Sequence, residues 1–130
     1  MTSIRVLGTK YTIETHQVSE DLLLKEKDLY GYCDEHNKLI VVADFSDGKY
    51  YNNKFTDYER EYLTAETLRH EIIHAFLYES GLGTCSSKFE DAWVTNEEMI
   101  DWFAVQFPKI AKVYKKLGIL NVKKQSKEEC

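Results

Sequence analysis

The chain is short of several things that would each point to a particular class of protein. It has a single proline, six glycines and no Pro/Gly/Ser-rich linker, so nothing divides it into separately folding units. It has no run of 18 apolar residues and no basic-then-apolar leader with a cleavage site, which predicts neither a membrane span nor a standard secretory signal and points to the cytoplasm. Its three cysteines, Cys33, Cys85 and Cys130, are odd in number and form no CxxC pair, a usage that fits a reducing compartment better than a disulfide framework. It also lacks positive charge overall. A formal net charge of -5 argues against nucleic-acid binding, whose affinity rests largely on phosphate neutralisation.

What remains is enough for one compact domain. Of 130 residues, 43% are hydrophobic and 30% charged, which allows a real core. Residues 1–120 are expected to form a single domain, and 121–130 a charged tail. Lys109, Lys112, Lys115 and Lys116 recur at spacings of three and four, as on a solvated helix face.

Periodicity predicts an α+β fold, with a small twisted β-sheet packed against a long helix and one or two further C-terminal helices. Ile4, Val6, Tyr11 and Ile13 alternate with polar residues about Gly8-Thr9-Lys10, a hairpin whose second arm runs to about Val18. Ser19-Glu20-Asp21 caps a short helix, Leu22 to Lys25. His16, alone in the second arm, belongs to sheet surface or core. A second hairpin joins Leu29–Cys33 to Lys38–Asp44, the latter apolar enough to be covered on both faces. Phe45 to Phe55 reads as loop. Thr56 and Glu59 form a capping box for a helix from about Asp57 to Ser80, with a break near Thr64 equally allowed. Leu68, Ile72, Ala75 and Phe76 share one face of this helix, and it is expected to be largely buried. Pro108 must end or kink the next helix near Phe107, and Gly118 stops the last.

The chemistry sits at His70-Glu71-Ile72-Ile73-His74, an HExxH motif. Four residues advance a helix by roughly 400°, so the two imidazoles project from nearly one face and reach one metal ion. Glu71, about 100° round from His70, can act on water as general base without being a ligand. Catalytic zinc usually has three protein ligands. Glu97 is the expected third: Thr95 and Glu98 form a capping box that occupies Glu98 and leaves Glu97 free in the first turn. Asp101, four residues on, could accept the second ring N–H of a ligating histidine. Cys85 is the strongest competitor to Glu97, ahead of Glu90 and Asp91, whereas Glu79 lies on the wrong side of its helix. Cys33 with His36 is better read as a hairpin cysteine than as a second metal site.

HExxH followed by Asn96-Glu97-x-x-x-Asp101 resembles the gluzincin branch of zinc metallopeptidases. Glu97 to Ala104 is similar to the ExEAxxFA element of ImmA/IrrE-type metallopeptidases, small proteins common in phages, prophages and mobile elements. Leu68 to Phe76 resembles small zincin-like proteins of Gram-positive prophages. The resemblance covers roughly residues 30–108. Met99-Ile100 stands where that family usually has Glu-Ala, and Pro108 comes two residues early. The resemblance implies one zinc ion on His70, His74 and Glu97, catalysis by Glu71, and Asp101 orienting a histidine. It also implies a minimal zincin-like domain that hydrolyses peptide bonds, with a regulatory protein of a phage or mobile element as a candidate substrate. By the same resemblance Lys38–Asp44 is the best candidate for the strand whose edge receives substrate; the alternative makes it interior, with an earlier strand at the edge. Tyr78, His36, Trp93 and several loop tyrosines are available as oxyanion donors. The rival function is a zinc-binding phage or prophage protein that uses the fold for partner binding without turnover. Oligomeric state is not legible in the sequence.

Overall fold

The computed structural model describes residues 2–83 and 92–121. It is a mixed α+β domain. Strands β1 (Thr2–Val6) and β2 (Thr9–His16) pair antiparallel with Val6 opposite Thr9. The two-residue loop Leu7-Gly8 has both φ angles positive, 49° and 89°, the primed turn whose twist matches the strands it joins. After β2 a 3-10 turn, Val18–Glu20, leads into helix α1 (Leu22–Glu26), capped by Asp21, whose side chain accepts from the amides of Leu23 and Leu24. Strand β3 (Gly31–Asp34) then pairs antiparallel with β4 (Leu39–Ala43), and β4 lies parallel to β2 with Ile13 opposite Ile40.

The sheet order is β1-β2-β4-β3. Of the two placements the sequence left open for Lys38–Asp44, edge or interior, the structure shows the interior one, with the earlier strand β3 at the edge. β4 is interior and buried from Ile40 to Ala43, because the second hairpin folds its first arm, β3, to the outside. Ile40 joins Val6, Tyr11 and Ala75 in one cluster, while Val41, Val42 and Ala43 join Val18, Leu24, Phe45 and Tyr51 in another.

Phe45 to Phe55 is not all loop. Asp47 caps a one-turn helix α2 (Gly48–Tyr51), and Asn52 closes it in the left-handed conformation at φ 52°. Tyr51 is thereby buried beside Phe45 and Phe55, with ring centroids 5.5 and 5.4 Å away. Burial of aromatic surface overrides the turn-forming composition of the segment.

Helix α3 (Asp57–Glu79) starts at the predicted Thr56–Glu59 capping box and runs without a break at Thr64. It is less buried than its sequence suggests. Thr67, Glu71 and Ala75 form its buried stripe, and Phe76 is 42% exposed. The helix crosses close to β3: a Cβ on Gly31 would lie 2.7 Å from both Thr67 Cγ2 and the Val41 carbonyl oxygen, so only glycine fits. At its far end Glu79 fastens helix to sheet, accepting from Thr9 Oγ1, Tyr11 Oη and Lys38 Nζ at 3.1, 2.7 and 2.7 Å. Glu79 thus faces the sheet.

A 3-10 turn (Trp93–Thr95) precedes helix α4 (Glu97–Lys116). The expected Thr95–Glu98 capping box is absent. Asn96 is the cap, accepting from the Met99 amide at 3.0 Å, while Thr95 Oγ1 donates to the Ala92 carbonyl; the 3-10 turn uses Thr95 and passes the capping role one residue on. Nor does Pro108 end the helix. Proline removes the amide that would bond the carbonyl of Ala104, and Arg69 Nε donates to that carbonyl at 2.7 Å instead. The helix stays continuous because α3 supplies the missing donor. α4 closes at Leu117, where the amides of Gly118 and Ile119 bond back to Lys115 and Tyr114, a Schellman arrangement with Gly118 at φ 73°. Among the described residues no helix is long and apolar enough to cross a membrane. Cys85, Glu90, Asp91 and the tail from residue 122, with Cys130, lie outside the described residues.

Candidate metal centre

Near its middle α3 carries His70 and His74 one turn apart, and the start of α4 lies across them. The two Nε2 atoms stand 3.2 Å apart. Both face the carboxylate of Glu97, with His70 Nε2 2.8 Å from Oε2 and His74 Nε2 3.1 Å from Oε1. Each ring is held from behind at Nδ1. His70 donates to Asp101 Oδ1 at 2.6 Å, and His74 donates to the Val94 carbonyl at 3.0 Å. A carbonyl can only accept, so Nδ1 of His74 carries a proton and Nε2 is the ring nitrogen turned towards Glu97. Asp101 favours the same tautomer for His70.

Glu71 completes the cluster from the sheet side. It is only 6% exposed, yet it lines the groove. The ligand atoms of His70, Glu71 and His74 lie within 4.8 Å of one another, so this group could hold a metal ion. A tetrahedral ion with bonds of about 2.0–2.1 Å to nitrogen or oxygen holds its donor atoms about 3.3 Å apart. The separations between the two imidazoles and Glu97, from 2.8 to 3.2 Å, are somewhat shorter than that. Of the two carboxylates, Glu97 faces both nitrogens directly, whereas Glu71 acts on the histidines through charge alone.

The electrostatics follow from this crowding. Burial by itself would lower the His70 imidazolium, but its hydrogen bond to Glu97, the charge of Glu71 and the hydrogen bond to Asp101 raise it to about 9. Hydrogen bonds from His70 and His74 hold Glu97 far below the usual carboxylate range. Glu71 moves the other way, because burial raises its carboxyl and the histidine charges offset this only in part. Two carboxylates in one cluster are thus driven apart, one a committed anion and the other a stronger base.

A groove of about 840 Å³ runs over the cluster, between β3 and the Val94–Asp101 segment, floored by α3. His70, Glu71, His74, Glu97 and Asp101, all picked out by motif spacing, meet here. His16 does not: it sits at the end of β2, and it is not alone, since Asp21 and Glu14 hold its two nitrogens at 2.7 and 2.8 Å. Cys33 packs against the Val6–Tyr11 cluster, and burial pushes its thiol up to about 12. Among the candidate oxyanion donors, Tyr78 lies in the groove wall and His36 and Trp93 do not. Spacing could not find the Val94 carbonyl, because a backbone acceptor carries no residue signature.

No protein-family model matches the chain, and neither a curated protein nor a solved structure does. What the site can do therefore rests on its own geometry.

Proposed function

We propose that the protein is a zinc-dependent metallopeptidase with a minimal zincin-like domain, His70, His74 and Glu97 holding one zinc ion. The observation that carries this is the convergence of two imidazole Nε2 atoms on one carboxylate, with both Nδ1 atoms tied to acceptors outside the cluster. Such an arrangement fixes tautomer and ring orientation together. Zinc bound there supplies Lewis acidity towards a scissile carbonyl and acidifies a water molecule. Glu71, raised by burial, takes the proton from water and passes it to the leaving amine. Asp101 keeps His70 turned inward.

The substrate in this reading is an extended peptide segment. β3 is an edge strand of the sheet, and Gly31, Tyr32 and Cys33 line the groove, so a peptide can add to this edge as one more strand and pass over the histidines. A regulatory protein of a phage or mobile element in a reducing cytoplasm is the setting that the motif resemblance favours.

Zinc-loaded protein and its Glu71→Gln variant are to be compared on peptide and unfolded-protein substrates. Both should bind one zinc per chain, and the variant should lose cleavage by roughly 10²–10⁴-fold, the usual contribution of a general base. Equal cleavage by the two forms, or none by either, would favour a zinc-binding protein without turnover. Less than one metal per chain after zinc addition removes both readings.

A further inference from the structure

Apart from its two histidines, the charged side chains along the groove are all of one sign. Its lining contains Asp28, Glu35, Glu66, Glu71, Glu97 and Asp101, and among the described residues no lysine or arginine. Three of these carboxylates are already accounted for. In the proposed reading Glu97 would hold the zinc ion and Glu71 would serve as base beside it, and Asp101 is paired with His70. Asp28, Glu35 and Glu66 have no such role. None of them forms an ion pair among the described residues; Asp28 accepts one hydrogen bond, from Tyr50 Oη at 2.7 Å.

Their positions along the groove are ordered. Gly31 faces Thr67 and Glu71, while Cys33 packs into the cluster that contains Ala75, so β3 and α3 run in the same direction. Glu66, just before Thr67, and Asp28, just before β3, therefore mark one end of the groove. Glu35, just after β3, marks the other, and the histidines lie between. The buried Glu71 carboxylate, which takes no hydrogen bond among the described residues and opens into the same groove, shows that the middle is built for a ligand.

We propose that this groove selects peptide segments with lysine or arginine on both sides of the bond presented to His70 and His74. Asp28 and Glu66 receive one cationic side chain and Glu35 the other. The inference rests on the peptidase reading for its scissile bond but not for its charge preference, which binding alone can show.

The test uses labelled decapeptides of one length with Lys, Ala or Glu at the flanking positions. Binding to zinc-loaded Glu71→Gln is read by fluorescence anisotropy, and cleavage is read with the zinc-loaded wild type. The Lys set should bind about tenfold tighter than the Glu set at low salt, with the gap narrowing as the Debye length falls to about 8 Å at physiological ionic strength. Glu35→Gln and Glu66→Gln, made singly and together, should shrink that ratio stepwise. Selective binding without cleavage would keep this inference and overturn the peptidase reading. Cleavage with equal rates for the Lys and Glu sets, or a ratio untouched by the Gln variants, would overturn the charge preference and leave the peptidase standing. Neither binding nor cleavage of any set overturns both.

Discussion

His16 and His70 are held in nearly the same way, each imidazole between two carboxylates, at 2.7 and 2.8 Å for His16 and at 2.6 and 2.8 Å for His70. Their surroundings differ. Asp21, behind His16, also caps α1 and accepts from Tyr32 Oη at 2.8 Å, so it is spent on joining a helix to the sheet. Around His70 the carboxylate at Nε2 is shared with a second imidazole, and the cluster opens into a groove. A carboxylate-bracketed histidine is thus an ordinary structural device. Two imidazoles that converge beside open volume, with Glu71 near them, form instead a group that could hold a metal ion.

The comparison is broken most directly at the histidines. His74→Ala should abolish stoichiometric zinc binding, whereas His16→Ala should keep one zinc per chain by metal analysis; zinc retained by the first or lost by the second would erase the distinction. The carboxylates come next. Asp101→Ala should weaken zinc by about 10–100-fold, the usual cost of losing an outer partner of a ligand. Asp21→Ala should leave zinc affinity alone and cost about 2–4 kcal/mol in denaturant unfolding, from a lost helix cap and two hydrogen bonds.

Smaller effects test how the two centres are mounted. Arg69→Met should cost about 1–2 kcal/mol by leaving the Ala104 carbonyl unpaired. In a Pro108→Ala background the same change should cost less, since the restored amide can take that carbonyl, and a double-mutant cycle reads the difference. The smallest effect is the pH dependence of the His16 pair. Burial opposes protonation of His16, but hydrogen bonds to Asp21 and Glu14 prevail and raise it above 6.5. For Asp21 burial likewise opposes ionisation, and hydrogen bonds from His16, Tyr32 and Leu24 prevail and lower it below 3.8. The His16 contribution is full below pH 6.5 and is lost as pH rises through its folded value. The Asp21 contribution is full above pH 3.8 and is lost as pH falls through its folded value. The stability gap between wild type and His16→Ala, about 1 kcal/mol for a partly buried pair, should therefore be widest between those limits and shrink on the alkaline side.

Much of this was legible from local signals. The first hairpin, the short helix after Asp21, the Thr56–Glu59 cap and the Gly118 stop all depend on residues within a few positions of one another, where sterics and nearby hydrogen bonds decide. Elements that the sequence left open or misplaced depended on distant partners. β4 became interior because β3 folded outside it, α2 formed because Tyr51 found Phe45 and Phe55, and α4 ran through Pro108 because Arg69 came from another helix. The exposure of Phe76 belongs with these, since helical periodicity ranks faces but does not say how much of a helix the sheet will cover.

By itself the sequence determined that His70 and His74 share a helix face with Glu71 between them, and that Glu97 and Asp101 share another, because helical spacing is a property of the backbone alone. Only the tertiary structure decided that those faces meet. It set the two Nε2 atoms against one carboxylate, gave His74 a backbone acceptor, buried Glu71 beneath Gly31, and lined the groove with carboxylates from Asp28 to Asp101. Those are contacts between segments far apart in the chain, and they exist only once the packing of α3 between the sheet and α4 has brought the segments together.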